Sequence, residues 1–260
     1  MSGLARHHRL PAGPGVHRVD DARLEHLDLA LVRGDGRLPA SGRERLLVVL
    51  ENAGGTITAG DRTFTPPDRA SVFDEEPSAV YAPPGAEVVV AGPLLAGAFS
   101  APAAAADAPE AYMISPDEVT SVHRGGGNFA RTVRDILPAD RPAVRLLAGE
   151  TINPPGNWSS SPPHKHDVHD PPAQAKLEEI YLFRVDPAQG FGLQLSYRTE
   201  PEHEERAFAV ADLDVATIPS GYHPVVAGPG YRLYYLWCLA GEGRALHWSP
   251  DPAHAWVEGT

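Results

Sequence analysis

Short apolar runs separated by turn residues extend along the whole chain. The runs are rich in Val, Leu, Tyr and Thr, and 25 Gly and 27 Pro residues divide them. Short strands at regular spacing with such turn signals are typical of an all-β barrel or sandwich. The predicted strands lie at residues 45–50, 56–58, 62–64, 71–73, 79–81, 87–90, 97–100, 144–151, 179–184, 192–198, 207–210, 216–218, 223–227 and 231–239. The pattern therefore predicts two all-β halves with little helix.

One segment predicts a helix. Residues 128–137 (NFARTVRDIL) are followed by Pro138, and a proline ends a helix. A new series of strands begins after this proline. We therefore predict a domain boundary there, with an N-terminal domain at 1–137 and a C-terminal domain at 138–260.

A faint internal repeat relates the two halves. Residues 81–88 (YAPPGAEV) and 218–225 (IPSGYHPV) each place a proline-containing turn with Gly between two strands. In the first copy no histidine follows the turn, and no histidine pair precedes it. The N-terminal half is therefore predicted to lack a metal site and to build core and interface instead.

Three histidines and a carboxylate form the clearest chemical signal in the chain. His164 and His166 are two residues apart, and alternate residues of a strand point to one face, so both can reach one ion. Glu179 opens the apolar run 179–183, and His223 follows the turn at 219–221. A solvated loop would explain the histidine pair alone, but not the two further residues. We therefore predict a metal site in the C-terminal half.

The chemistry of these four side chains limits which metal ions the site can bind. Imidazole and carboxylate ligands together suit Zn, Mn, Fe or Ni, whereas an all-oxygen shell would indicate Mg or Ca. We expect a divalent Zn, Mn or Fe ion, and the sequence does not distinguish among the three.

Charge, hydropathy and cysteine content exclude several classes of partner and indicate the cell compartment. The formal net charge is −12, and nucleic-acid binding needs a basic face, so we predict no nucleic-acid partner. No apolar run approaches the roughly 20 residues of a membrane span, and the first residues lack a signal-peptide core. The one cysteine, Cys238, lies in an apolar run and excludes an intramolecular disulfide. We expect a cytoplasmic protein without a membrane partner, in which Cys238 is a core thiol.

Lysine is scarce, and both lysines fall near the histidine pair. Of the 22 basic residues only Lys165 and Lys176 are lysines. Strand alternation points Lys165 away from the face that His164 and His166 share. Lys165 is a candidate substrate contact, with a solvent-facing position as the alternative.

The motifs around these residues resemble a known family. The order H-x-H, Glu, then His after a Pro-x-Gly turn resembles the cupin superfamily. The flanking residues resemble a family of uronate isomerases that the 5-deoxy-glucuronate isomerase of inositol catabolism shares with 4-deoxy-L-threo-5-hexosulose-uronate ketol-isomerase. The resemblance covers most of residues 120–240 and rests on RGGGNFAR at 124–131, PPGNWSS at 154–160, PPHKHD at 162–167, LEEIY at 177–181, GFGLQ at 190–194 and GYHPV at 221–225.

The resemblance implies a fold and an activity. The fold would be a bicupin, with two jelly-roll barrels, of which the C-terminal one binds the metal. The activity would be an aldose–ketose isomerisation of a six-carbon uronic acid, which is a small anionic sugar acid. The metal would stabilise an enediol as a Lewis acid. In the motif of the related ketol-isomerase the ligand directly precedes Ile-Tyr. This position favours Glu179 over its neighbour Glu178 as the ligand.

The sequence departs from the family pattern at two places. The segment between His166 and Glu179 is longer than a compact cupin turn, and Ala227 stands where many cupins carry Asn. Neither touches the four predicted ligands.

Candidate catalytic residues surround the predicted ligands. A base near neutrality must move the proton, and the candidates are Tyr181, Glu178, Lys176, His169 and a metal-bound hydroxide, which we do not rank.

The substrate carboxylate needs cationic or hydrogen-bonding partners. Arg131 is our first choice, with Arg124 and Asn128 beside it in the resembling segment. Gln194, Tyr235 and Trp158 are candidates for the sugar pocket. A simple packing role is the alternative for the aromatic residues.

Two other functions fit the same four ligands. One is another metal-dependent cupin enzyme, either a dioxygenase or an epimerase. The other is a sugar-binding cupin without catalysis, although the chain shows no basic DNA-binding segment. The exposed edges of a two-barrel cupin also predict a homo-oligomer.

Overall fold

Strands make up nearly all the regular structure of the computed structural model, which describes residues 3–170 and 176–259. The first part contains β1 (Arg6–Arg9), β2 (Gly15–Arg18), β3 (Asp28–Arg33), β4 (Gly36–Leu38), β5 (Arg43–Asn52), β6 (Thr56–Ala59), β7 (Arg62–Phe64), β8 (Ala79–Ala82), β9 (Val88–Ala91), β10 (Leu94–Pro102) and β11 (Tyr112–Ile114). The second part contains β12 (Thr120–Arg124), β13 (Arg131–Leu137), β14 (Leu147–Asn153), β15 (Trp158–Ser159), β16 (His164–Lys165), β17 (Leu177–Asp186), β18 (Gly192–Arg198), β19 (Glu204–Val210), β20 (Asp214–Ile218), β21 (Val225–Ala227), β22 (Arg232–Gly241) and β23 (Ser249–Pro250).

Helical structure is restricted to short 3-10 turns within the described ranges. These turns lie at Ala105–Asp107, Pro116–Glu118, Gly127–Phe129 and Ala255–Gly259. Among the described residues, no helix has the length and apolar character needed to cross a membrane.

The strands form two double-layered units, as the bicupin prediction requires. In one unit a six-stranded sheet, β11-β8-β5-β10-β3-β2, packs on the four-stranded sheet β4-β9-β6-β7. In the other a seven-stranded sheet, β1-β20-β17-β22-β14-β13-β12, packs on the four-stranded sheet β15-β21-β18-β19. The all-β, two-barrel architecture is confirmed.

A third core lies between the two large sheets. Along β5, Leu46, Val48 and Leu50 enter this core, while Leu47 and Val49 fill the barrel interior. Strands β17 and β22 alternate in the same way between the shared core and the second barrel. Because both faces are buried, the central stretches of these strands, 46–50 on β5 and 180–183 on β17, are apolar at consecutive positions, unlike a strand with one face in water. The two units are thereby joined by a continuous apolar layer.

The predicted helix at 128–137 is wrong. The segment forms the 3-10 turn Gly127–Phe129 followed by strand β13. Arg131, Val133 and Asp135 share one face of this strand, whereas Arg134 points the other way and bonds to the buried Glu150. The segment is short enough for either structure, and pairing with β12 and β14 decided in favour of the strand.

The sheets do not divide the chain at the predicted boundary between residues 137 and 138. Strands β12 and β13 pair into the seven-stranded sheet of the second unit, and β1 closes the far edge of that sheet beside β20. The last strand of the six-stranded sheet is β11. A division by sheets would fall between residues 114 and 120, because β12, which starts at residue 120, already pairs with β13 in the second unit.

A buried carboxylate of the second unit binds the backbone of the first. Glu178 on β17 faces the shared core. Its oxygens accept hydrogen bonds from the backbone N–H groups of Glu25, His26 and Leu27 at 2.8, 2.8 and 3.1 Å. These donors lie just before β3. Glu178 therefore links the two units.

A carboxylate of the first unit makes the reciprocal connection. Glu44 on β5 accepts hydrogen bonds from the backbone N–H groups of Val144, Arg145 and Leu146, which lie just before β14. The Tyr81 hydroxyl donates to the same carboxylate at 2.7 Å. The two units thus exchange equivalent contacts across their shared core.

Candidate metal centre

Three buried side chains converge inside the second barrel. His166 follows β16, Glu179 lies on β17, and His223 precedes β21. The Nε2 atoms of His166 and His223 lie 3.2 and 3.1 Å from the same carboxylate oxygen, Oε2 of Glu179. One ligand atom from each residue lies within 4.8 Å of the others. This is the spacing of groups that can share one ion.

Backbone carbonyls determine which imidazole nitrogen is available. The Nδ1 atoms of His166 and His223 lie 2.8 Å from the carbonyl oxygens of Leu177 and Gly221 respectively. A carbonyl only accepts, so each Nδ1 carries a hydrogen and each Nε2 turns toward Glu179. Orientation of a metal-binding histidine by such an outer hydrogen bond is common in metal sites.

An unpartnered nitrogen shows that a cation fits this site. Among the described residues, Nε2 of His223 is buried and has no hydrogen-bond partner despite its closeness to Glu179. Its lone pair and the carboxylate oxygen are both acceptors, and burying them together is unfavourable without a positive charge between them. A divalent ion would satisfy the imidazole and carboxylate atoms together.

The carboxylate is in its ligand form at neutral pH. Burial by itself raises the pKa of Glu179, but the neighbouring imidazoles of His166 and His223 outweigh burial and lower the pKa to about 2. Burial lowers the pKa of His166, whereas the Glu179 carboxylate raises it above the ordinary value. A metal would therefore compete with a proton at His166.

His164 lies beside the three converging residues but outside their closest cluster. Its ring centroid is 5.0 Å from that of His223 and 5.6 Å from that of Trp248. Burial, followed by the neighbouring His223 and His166, lowers the pKa of His164 to about 3. The imidazole is therefore neutral and able to bind a metal. His164 as the fourth ligand stays a prediction.

A cavity of about 520 Å³ opens beside the cluster. The inner face of the seven-stranded sheet forms its floor, and the segments before β16 and after β22 form its walls. The lining residues are Arg124, Gly125, Phe129, Arg131, Val133, Asp135, Thr151, Ser160, Ser161, Pro162, His164, His166, Glu179, Tyr181, Tyr235, Trp237, Leu239, Leu246, Trp248 and Glu258.

Two tyrosines in ring contact lie next to the cluster. Tyr181 lies two residues after Glu179 on the same face of β17, and its ring centroid is 4.5 Å from that of Tyr235. Burial, and then the Glu179 carboxylate, raise the pKa of Tyr181 well above its usual value. Tyr181 is therefore a neutral phenol. It can donate a hydrogen bond, but it is unsuited to be the base considered from the sequence.

Two arginines lie side by side on the two strands that β22 and β14 separate from β17. Arg124 and Arg131 are directly opposite each other on β12 and β13, and both line the cavity. Like charges in such a pair repel, and burial lowers the pKa of Arg131, with Arg124 acting in the same direction. Gly125 has φ +75°, and a Cβ there would lie 2.7 Å from the Arg131 guanidinium. The arrangement suits an anion between the two cations.

Several predicted site residues lie outside this cavity. Glu178 faces the shared core, so it is withdrawn as a candidate base. Lys176 is exposed, with its Nζ 3.9 Å from Glu242. His169 and Asn128 are exposed and do not line the cavity either.

Three further predicted contacts have other partners. Lys165 pairs with Asp167 at 3.2 Å. Gln194 is buried, and its Nε2 donates to the backbone oxygen of His223 at 2.8 Å, so it supports a ligand-bearing segment from behind. Trp158 does not line the cavity. Of the substrate contacts predicted from the sequence, Arg124, Arg131 and Tyr235 are brought to the cavity.

Other cavity residues escaped the sequence analysis. Asp135 and Trp237 lie on the floor, and Ser160 and Trp248 lie on the walls. Alternation from Arg131 would have identified Asp135 had the segment been assigned to a strand. No local signal marks Trp248, which reaches the cavity because β23 pairs with the histidine strand β16.

The first barrel contains a cation of its own at the corresponding place. Arg45 pairs with Ala82 on β8 as Glu179 pairs with Ile218 on β20. The Arg45 guanidinium donates to the backbone oxygens of Pro39 and Ala86 at 2.6 and 2.9 Å. A side-chain cation therefore satisfies the acceptors there. Within the described residues, the group of potential metal ligands is found in the second barrel.

Comparison with known sequences points to one family. A family model described as the KduI/IolB family matches residues 21–257. A protein from Geobacillus kaustophilus named 5-deoxy-glucuronate isomerase is 37% identical over 230 residues, which cover 85% of this chain and 80% of that protein. A protein of the same name from Geobacillus thermodenitrificans is 45% identical over 147 residues, which cover 56% of this chain and about half, 53%, of that protein.

Solved structures agree with this similarity. An IolB-like protein from Salmonella typhimurium LT2 superposes with a TM-score of 0.91 at 32% identity, covering 98% of this chain and 99% of that one. Oxalate decarboxylase from Bacillus subtilis, a protein with Mn(II) centres, superposes with a TM-score of 0.58 at 12% identity, covering 96% and 80%. The second likeness concerns the fold alone.

Proposed function

The chain belongs to the KduI/IolB family, and from this we propose that it is a metal-dependent aldose–ketose isomerase of inositol catabolism. The substrate would be 5-deoxy-glucuronate and the product 5-dehydro-2-deoxy-gluconate. The reaction moves a proton between the two carbons at the aldehyde end and passes through an enediol. It leaves the carboxylate end of the substrate unchanged.

The order of groups along the cavity is the observation that carries this proposal. Across the seven-stranded sheet, Glu179 and Tyr181 lie on β17 and Tyr235 on the neighbouring β22, and the Arg131–Arg124 pair lies beyond β14 on β13 and β12. A linear sugar acid has a carbonyl at one end and a carboxylate at the other. The cavity offers complementary groups in the same order.

Each group has a defined task in this arrangement. A divalent ion held by His166, Glu179 and His223, with His164 as the fourth ligand, would act as a Lewis acid on the carbonyl and adjacent hydroxyl oxygens. Arg131 and Arg124 would bind the substrate carboxylate through charge-assisted hydrogen bonds. The Tyr181 phenol, which keeps its proton, would donate its hydrogen toward the Glu179 carboxylate. Holding both ends of the substrate aligns the reacting carbons.

We also propose that the protein works in the cytoplasm as a homo-oligomer. The buried, unpaired Cys238 fits a reducing compartment. The edge strands β12 and β19 offer backbone groups to a second copy. Sedimentation of the purified chain would test the oligomer, and a purely monomeric species would contradict it.

A coupled assay on metal-analysed protein tests the proposed activity. Protein loaded with Zn, Mn or Fe should convert 5-deoxy-glucuronate to the ketose, and His223→Ala should abolish turnover. His203→Ala is the matched control, because its imidazole is exposed and lies outside the cavity. Absence of ketose with every metal would refute the proposal. Oxygen uptake without ketose would indicate the oxygenase alternative.

A further inference from the structure

Ser160 has an unusual backbone conformation at the cavity wall. Its φ is +47°, and among the described residues only Leu213 shares a positive φ without being glycine. Ser160 is also buried and lines the cavity. A non-glycine residue in the left-handed region is strained, and such strain is retained mainly where the side chain has a function.

The Ser160 side chain contacts a residue beside the ligand cluster. Its Oγ lies 3.0 Å from the Tyr181 hydroxyl oxygen. The same phenol lies two residues after Glu179 on the same face of β17, and its ring centroid is 6.1 Å from that of His223. Ser160 therefore holds a phenol that lies beside two candidate metal ligands.

Donor and acceptor capacity sets the direction in which these groups would act on Glu179. An ionised carboxylate only accepts, so a Tyr181 hydroxyl turned toward Glu179 would donate its single hydrogen there. The Ser160 hydroxyl would then be the donor to the phenol oxygen. Hydrogen bonds of this kind polarise one another in a site shielded from water.

Neighbouring serines contact the two tyrosines separately. The Ser159 side chain interacts with Tyr235, and Ser160 interacts with Tyr181. Ser159 ends β15, where it pairs with Val225. The turn into the left-handed conformation directs the next side chain to the other tyrosine. Glycine would adopt this φ without strain, but it would provide no hydroxyl.

We propose that Ser160 is a positioning residue which, through Tyr181, holds the Glu179 carboxylate in the orientation that binds the metal. This inference rests on the metal site of the proposed function. Outer hydrogen-bonding partners of metal ligands typically change metal affinity by about 10–100-fold when they are removed. We expect a loss of this size when the Ser160 hydroxyl is absent.

Chelator competition on Ser160→Ala and Ser160→Gly tests the proposal. Both variants should bind Zn or Mn about 10–100-fold more weakly than the unaltered protein. Without metal, Ser160→Gly should melt at or above Ser160→Ala, because glycine relieves the strain. Ser196→Ala is the matched control, since this buried hydroxyl accepts the N–H of Ala5 at 3.1 Å and lies outside the cavity. It should keep the metal affinity.

Tyr181→Phe distinguishes an effect of Ser160 that acts through the Tyr181 hydroxyl from a general loss of packing. Tyr181→Phe should reproduce the affinity loss of Ser160→Ala, and the double variant should be no weaker than Tyr181→Phe. Unchanged affinity in both Ser160 variants would overturn the inference while leaving the isomerase proposal intact. Failure of the unaltered protein to bind any metal would instead refute the metal-dependent function.

Discussion

Replacement of Glu178 by Gln should destabilise the fold and spare the metal site. The Glu178 carboxylate is buried and accepts three backbone N–H groups from the other unit. Glutamine has nearly the same shape but retains a single acceptor oxygen. If this oxygen keeps His26 and Leu27, the new NH2 group faces the N–H of Glu25, and two donors meet.

The hydrogen bonds of Glu178 determine how much stability the Glu178→Gln variant should lose. A hydrogen bond to a charged acceptor contributes about 1.5–3 kcal/mol and a neutral one about 0.5–1.5 kcal/mol, while a stranded N–H group costs about 1–3 kcal/mol. Burying an amide is less unfavourable than burying a carboxylate, which offsets part of the loss. We expect a net decrease of about 3 kcal/mol in the free energy of unfolding. For a chain of this size that lowers Tm by roughly 6–12 °C.

Thermal and urea unfolding of Glu178→Gln and Glu179→Gln, with and without metal, provide the assay. The two substitutions are chemically identical and adjacent, but their side chains lie on opposite faces of β17. Glu178→Gln should lose stability and keep its metal affinity, whereas Glu179→Gln should lose metal affinity. The reasoning would be refuted by a Tm within about 2 °C of the unaltered protein for Glu178→Gln, or by equal metal loss in both variants.

Further predictions concern the second interdomain carboxylate, the cavity and the metal. Glu44→Gln should lower Tm by an amount similar to Glu178→Gln, without changing chelator-measured metal affinity, because the two carboxylates have equivalent roles. Burial raises the pKa of Asp135, so ionising it destabilises the fold. Asp135→Asn should raise Tm at pH 7, and this advantage should vanish below about pH 4, where the carboxyl is protonated in both states. Steady-state kinetics should show KM about 10–100-fold higher in Arg131→Met, from the loss of one charge-assisted bond. Removal of metal by a chelator should lower Tm, and restoring Zn, Mn or Fe should recover it, because the ion binds the folded state; a Tm indifferent to metal would contradict the proposed site.

Local patterns were sufficient to select three residues that converge in the second barrel, His166, Glu179 and His223. The histidine pair, the glutamate opening an apolar run and the histidine after a turn are each short-range features. Strand alternation relates them to one face without knowledge of the remaining fold. The same period predicts that Glu179 and Tyr181 lie together. These side chains are indeed adjacent in the structure.

The secondary structure of a segment that is compatible with both helix and strand could not be predicted from the sequence. Residues 131–137 could form a helix or a strand, and hydrogen bonds to β12 and β14 decided between them. That outcome brought Asp135 into the cavity and moved the division between the sheets toward the N-terminus. Pairing between strands is a long-range effect, so no window of sequence contains it.

The choice between Glu178 and Glu179 shows where local information ends. Strand β17 is buried on both faces, so neither side of it carries a polar pattern that marks the solvent. The sequence determined the all-β fold class, the imidazole and carboxylate chemistry and the family resemblance that implied a bicupin, because these depend on residue type and short spacing. Only the tertiary structure decided that Glu178 binds the backbone of Glu25, about 150 residues away along the chain, and that Arg45 fills the place in the first barrel where the second has Glu179. Those outcomes depend on which partners the folded chain brings within hydrogen-bonding distance.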